Sequence, residues 1–172
     1  MPEVAVSLGA NIDRESNIRA AVNSLIAFYP GALFSPVFES KAVGFEGPDF
    51  FNLAGIFYSD FEAPDLVTQL REIEAKLGRT RDGSVMGSRE MDIDLLLYGD
   101  QILYAQGIDV PRHEILECAH VLKPLSLVWP DRRHPVEGST YQELWKAMAL
   151  DHQGKLKPVR LDLGQSFGSG LG

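Results

Sequence analysis

The 172-residue sequence predicts an α+β fold with a β-α-β-β-α-β core, extra C-terminal helices and a small hairpin. Three observations carry that prediction. Apolar residues recur at helical spacing in two separate stretches. Short apolar runs bounded by turn residues flank each stretch. From Met91 to Tyr98 apolar and acidic residues alternate with the period of a strand.

Val4-Ala5-Val6-Ser7-Leu8 reads as a buried strand, ended by the turn-prone Gly9-Ala10-Asn11. Ile18, Ala21, Val22, Leu25, Ile26 and Tyr29 then share one helical face, and Pro30-Gly31 stops the pattern. Ala32 to Phe38 suits a second strand, where Pro36, lacking an N–H, marks an edge or a bulge. Lys41 to Asp49 holds two glycines and a proline without periodicity, so an exposed, mobile loop is expected before the aromatic strand Phe50 to Tyr58. Pro64 fits the first turn of a second helix, whose stripe is Leu66, Val67, Leu70, Ile73 and Leu77 and whose end is Gly78. A basic loop, Arg79 to Arg89, leads into the Asp92/Asp94 strand.

This order is the ferredoxin-like split βαβ arrangement, which puts helices on one sheet face and leaves the other for a site. Further on, Gln101 to Tyr104 and Ile108 to Val110 can pair as a hairpin around Ala105-Gln106-Gly107. Val121 to Val128 reads as a helix that tolerates Pro124 near its start. Ser139 or Thr140 caps a last helix, since Gln142 and Glu143 each lie three residues on. One domain over residues 1–164 is expected, with 165–172 a disordered tail of linker composition.

The net charge of −8 argues against general nucleic-acid affinity, which depends on neutralising phosphates. Between Lys76 and Arg89, however, four cations face one anion, a local +3 that suits a phosphate ligand. The single cysteine, Cys118, excludes an intrachain disulfide and fits a reducing cytosol. The N-terminal residues lack the basic region and long apolar core of a signal peptide, and no run reaches the roughly 20 apolar residues of a membrane span. A soluble, cytoplasmic monomer is expected, without membrane or nucleic-acid partners.

In a strand, Met91, Ile93, Leu95 and Leu97 point one way while Asp92 and Asp94 share the other face, their Cα atoms roughly 6.6 Å apart. Two carboxylates so placed repel unless a cation neutralises them. Mg²⁺ held by one or two carboxylates plus substrate phosphates would do so. On these residues alone, an Asp pair on a solvated sheet face is an equal alternative.

Several motifs together resemble a known family. The run Gly87-Ser88-Arg89-Glu90-Met91-Asp92-Ile93-Asp94-Leu95-Leu96 is the most specific. Ser7-Leu8-Gly9-Ala10-Asn11, Asp49-Phe50-Phe51-Asn52, Ile73-Glu74 with Gly78-Arg79-Thr80-Arg81, and Val121-Leu122-Lys123-Pro124-Leu125 follow the same family order. Over about residues 4–147 the chain resembles the 6-hydroxymethyl-7,8-dihydropterin pyrophosphokinases of folate biosynthesis. That resemblance implies a ferredoxin-like fold, ATP as co-substrate, two Mg²⁺ ions and transfer of a diphosphoryl group to the pterin hydroxymethyl oxygen, with AMP released.

The resemblance further implies that Asp92 and Asp94 hold the magnesium ions and that Arg79, Arg81 and Arg89 engage the phosphates, with Arg79 and Arg89 counted as catalytic. A guanidinium fork suits phosphate geometry. Asn52 matches the pterin reader, its amide offering a donor and an acceptor to a flat heterocycle. Phe50 and His120 fall at the pterin-pocket aromatics, Val43 at an apolar lining position and Glu74 near the nucleotide. By residue type alone, the alternative for Phe50 and His120 is a packed core position and for the arginines a solvated face.

The chain departs from the family at Met86, where an aromatic is common, at Arg112, where His is usual, and at Cys118, where Arg is frequent. His120 replaces the usual Phe, and Ala42-Val43 stands where a proline-containing pair often occurs. Arg112 can restore the charge lost at Cys118 if it reaches the same phosphates, which adds it to the nucleotide-binding set. The competing expectation is a non-catalytic pterin- or nucleotide-binding module of the same fold. An RNA-binding sheet is disfavoured by the −8 charge, and a Walker-type loop is absent.

Overall fold

A computed structural model describes residues 1–42, 46–77, 91–153 and 155–163. The main sheet begins with β1 (Glu3–Ala10) and passes through α1 (Arg14–Phe28) to β2 (Leu33–Phe34) and β3 (Val37–Ser40). Next come β4 (Phe50–Tyr58), α2 (Ala63–Lys76) and β5 (Asp92–Tyr98). The strand order is β5-β1-β4-β3-β8, antiparallel at every pairing, with β2 also on β4 and β8 (Lys157–Val159) at the edge. The predicted β-α-β-β-α-β core is present, and the ferredoxin-like order agrees with it.

The second predicted strand, Ala32 to Phe38, is in fact two short ones. Leu33 faces Ile56 and Phe34 faces Gly55, whereas Phe38 faces Asn52, so one extra residue sits between β2 and β3. The irregularity falls at Ser35-Pro36, where the Ser35 hydroxyl accepts the Ala54 N–H at 2.9 Å. A backbone donor that the bulge would strand is thereby satisfied.

One face of the sheet carries α1 and α2. Their stripes, Ile18, Ala21, Val22 and Leu25 with Leu66, Leu70 and Ile73, pack on Val4, Val6, Leu8, Leu53, Met91, Ile93 and Leu95. Leu97 does not join them as the alternation predicted. The register of β5 on β1 shifts by one residue between Ala5 and Val6, so Leu96 and Leu97 both reach the second face. A bulge inserts one residue and reverses the phase of every side chain beyond it.

The second face is not fully open, contrary to expectation. At one end Ala5, Ala54, Leu96 and Leu97 pack under α3 (Glu114–Glu117), α4 (Ala119–Val128) and α5 (Tyr141–Ala147) through Ile115, Leu122, Leu125 and Tyr141. At the other end the same face remains accessible. Helix α4 starts two residues before the predicted Val121, so Pro124 lies inside it. Thr140, not Ser139, caps α5, in a capping box with Glu143.

The hairpin is β6 (Leu103–Ala105) and β7 (Ile108–Val110), joined by Gln106 and Gly107, both at positive φ as a type I′ turn requires. The short helix α6 (Leu150–Gln153) and strand β8 were not anticipated. The predicted tail, 165–172, lies outside the described residues, as does part of the predicted mobile loop, 43–45. Among the described residues no helix is long and apolar enough to cross a membrane.

Candidate active site

The open end of the second face forms a cavity of about 290 Å³. Its floor is Ser7 and Gly9 of β1 beside Asp92 and Asp94 of β5. Register explains the grouping, because Asp94 lies across from Ser7 and Asp92 across from Gly9. Small residues on β1 therefore leave room above the carboxylates, where Ala5 two residues back is covered by helices. Ser40, Lys41, Phe50, Arg112, Glu114 and His120 are among the residues that enclose it.

Asp92 and Asp94 share this floor, on one face as the alternation predicted. Asp94 also meets Arg71 of α2, whose Nη1 lies 3.9 Å from its Oδ1. Among the described residues no cluster of three or more His, Cys, Asp or Glu side chains is arranged as a metal cage. Two carboxylates open to a cavity fit Mg²⁺, which keeps waters and takes phosphate oxygens as its remaining ligands.

Arg112 reaches the cavity beside these carboxylates. Burial pulls its pKa down, but attraction to Asp94, the hydrogen bond and charge of Glu114 and the charge of Asp109 outweigh this and raise it. Cys118 is half-buried nearby, and desolvation followed by Glu114 and Glu117 raises its thiol, so it stays protonated. Arg112 thus supplies positive charge at the cavity where Cys118 supplies none.

His120 and Phe50 both line the cavity. Desolvation lowers the His120 pKa against the opposing pull of Glu114, so the ring is neutral at neutral pH. A neutral imidazole and a phenyl ring lining one cavity suit a flat heterocycle. Asn52 is buried one step below. Its Nδ2 donates to Ser40 Oγ at 2.7 Å, and its Oδ1 lies under Gly9, 3.5 Å from where a Cβ would be. Those contacts tie Asn52 to two residues that line the cavity.

Glu74 is fully buried, does not line the cavity and accepts a hydrogen bond at 2.6 Å from Nη1 of Arg71, the same group that approaches Asp94. A second, smaller cleft between α2, β5 and β7 is lined by Arg71, Ile93, Leu95 and Asp109, and Arg112 lines both it and the cavity. Arg71, Glu114, Lys41 and Ser7 were missed in the sequence. Arg71 carried a signal, since it stands three residues before Glu74 on one helix face. Of the other expected residues, Val43, Arg79, Arg81, Met86 and Arg89 lie outside the described residues.

The family described as 7,8-dihydro-6-hydroxymethylpterin-pyrophosphokinase matches residues 5–130. A 2-amino-4-hydroxy-6-hydroxymethyldihydropteridine pyrophosphokinase of Aquifex aeolicus is 32% identical over 138 residues, 79% of this chain and 86% of that protein. The enzyme of the same name from Pseudomonas aeruginosa is 33% identical over 152 residues, covering 86% and 93%. In structure, the wild-type HPPK-DHPS of Plasmodium falciparum with pterin and p-hydroxybenzoate superposes with a TM-score of 0.69 at 12% identity. That likeness covers 91% of this chain and 46% of the larger protein, and it speaks to the fold alone.

Proposed function

The chain belongs to the 7,8-dihydro-6-hydroxymethylpterin-pyrophosphokinase family, and from that premise we propose that it transfers the diphosphoryl group of ATP to the hydroxymethyl oxygen of 6-hydroxymethyl-7,8-dihydropterin. AMP is the nucleotide product. The observation that carries this reading is the pair Asp92 and Asp94 on the floor of a cavity that also presents Arg112, Phe50 and His120.

Phosphoryl chemistry asks little of a protein beyond positioning and charge neutralisation. Asp92 and Asp94 would hold Mg²⁺, two ions by family resemblance, and the metal would neutralise the phosphate oxygens and align them. Arg112, with Arg79, Arg81 and Arg89 by resemblance, offers guanidinium forks to the same oxygens. Phe50 and His120 orient the pterin ring, and Val43 adds apolar lining by resemblance. Asn52 and Ser40 are linked by a hydrogen bond and offer polar atoms to the heterocycle's edge.

The test is one reaction with ATP, Mg²⁺ and the pterin, resolved by chromatography of the nucleotides. AMP formed in step with pterin diphosphate is the expected result. ADP as product, or pterin and nucleotide binding without turnover at any Mg²⁺ concentration, would overturn the reading in favour of a non-catalytic module.

A further inference from the structure

We infer that Glu114 is a positioning residue that holds the Arg112 guanidinium off Asp94 and turns it toward the nucleotide phosphates; this rests on the function proposed above. Arg112 donates from Nε to Glu114 Oε2. Glu114 Oε1 lies 3.0 Å from His113 Nε2, and His113 Nδ1 lies 3.1 Å from Asp109 Oδ2. A chain Asp109–His113–Glu114–Arg112 therefore runs from the hairpin to the cavity. The backbone at its end is anchored too, since the Arg112 N–H donates to Leu96 O at 2.9 Å.

The geometry divides the guanidinium's donors. Nε is committed to Glu114, while among the described residues the two Nη groups make no hydrogen bond. Those Nη groups are the ones that grip two oxygens of a phosphate side by side. Asp94 is the leading attractive charge on Arg112, yet the ion pair that forms is with Glu114. Without Glu114 the guanidinium would fall onto Asp94 and compete with Mg²⁺ for it. Both partners are largely withdrawn from solvent, at 29% and 27% side-chain exposure, so screening does not erase the pairing.

The experiment has a free-protein arm and a kinetic arm. In nitrogen-15 spectra of the free protein, the Arg112 Nε–H resonance, assigned by its loss in R112K, is expected to exchange slowly and to broaden away in E114Q. Kinetically, E114Q is expected to raise both the KM for ATP and the half-saturating Mg²⁺ about tenfold, leaving the pterin KM within twofold. E114D, which keeps the charge, recovers part of that loss. In an R112Q background E114Q should add nothing further, because its effect passes through Arg112.

Additive losses in the two backgrounds, an unchanged E114Q, or a resonance indifferent to E114Q would each overturn the inference. If wild-type protein makes no AMP, the kinase reading fails by itself. Calorimetry with a nonhydrolysable Mg·ATP analogue then decides the tether, a tenfold weaker affinity in E114Q supporting it and equal affinity rejecting it.

Discussion

Arg71 joins α2 to the acidic strand, its Nη1 3.9 Å from Asp94 Oδ1 and 2.6 Å from the fully buried Glu74. One cation thus serves a buried carboxylate and a cavity carboxylate at once. Removing one partner of a buried ion pair costs about 3–5 kcal/mol, and the half-exposure of Arg71 reduces this to about 2 kcal/mol. R71A should lower the urea midpoint accordingly. An unchanged midpoint would show that Glu74 does not depend on this partner.

D92N and D94N should each leave the fold intact and remove turnover. Asp94 is partly exposed, at 31%, so its charge is not needed for packing. Loss of metal-borne charge stabilisation, several kcal/mol, corresponds to about a thousandfold or more in kcat. Initial rates of AMP formation at saturating Mg²⁺, with melting temperatures as control, check this. Near-wild-type rates in both variants would remove the metal assignment.

The His120 ring titrates below its ordinary 6.5 because burial disfavours the cation. Its contribution to stability is therefore full above pH 6.5 and is lost as pH falls through the folded-state value. Between pH 8 and pH 5 the wild type should lose more melting temperature than H120F, which has no proton to take up. Parallel profiles for the two proteins would contradict it.

G55A should destabilise the sheet without touching the cavity. A Cβ on Gly55 would stand 2.7 Å from Cε1 of Phe34, a ring with no exposed surface. Overpacking of this kind costs about 1–3 kcal/mol. Denaturant unfolding reads the cost directly, and wild-type stability would mean that the ring moves aside freely.

The helices and the two acidic positions were legible because their signals are local. The faces of α1 and α2 follow from spacing alone, and the capping box of α5 narrows to Thr140 once Glu143 folds back on it. The bulge opposite Ala5 and Val6 was not legible, because it arises from pairing between β5 and β1. Strand β8 was hidden for a related reason. Three residues around Pro158 show no alternation, and their pairing with β3 is a property of the edge they meet.

By itself the sequence determined the order of elements, the shared face of Asp92 and Asp94, and the resemblance that pointed to pterin and ATP. Periodicity and short motifs carry that information within a few residues. Tertiary structure alone decided that helices α3 to α5 cover one end of the second face and leave the other open, and that Ser7 and Gly9 lie beside the carboxylates. It also decided that Arg112 is held by Glu114 and Asp94 met by Arg71. Asp94 and Arg71 come from segments well separated in the chain. Even the near neighbours Arg112 and Glu114 meet only because the backbone between β7 and α3 turns their side chains together. Packing and charge in three dimensions choose such partners.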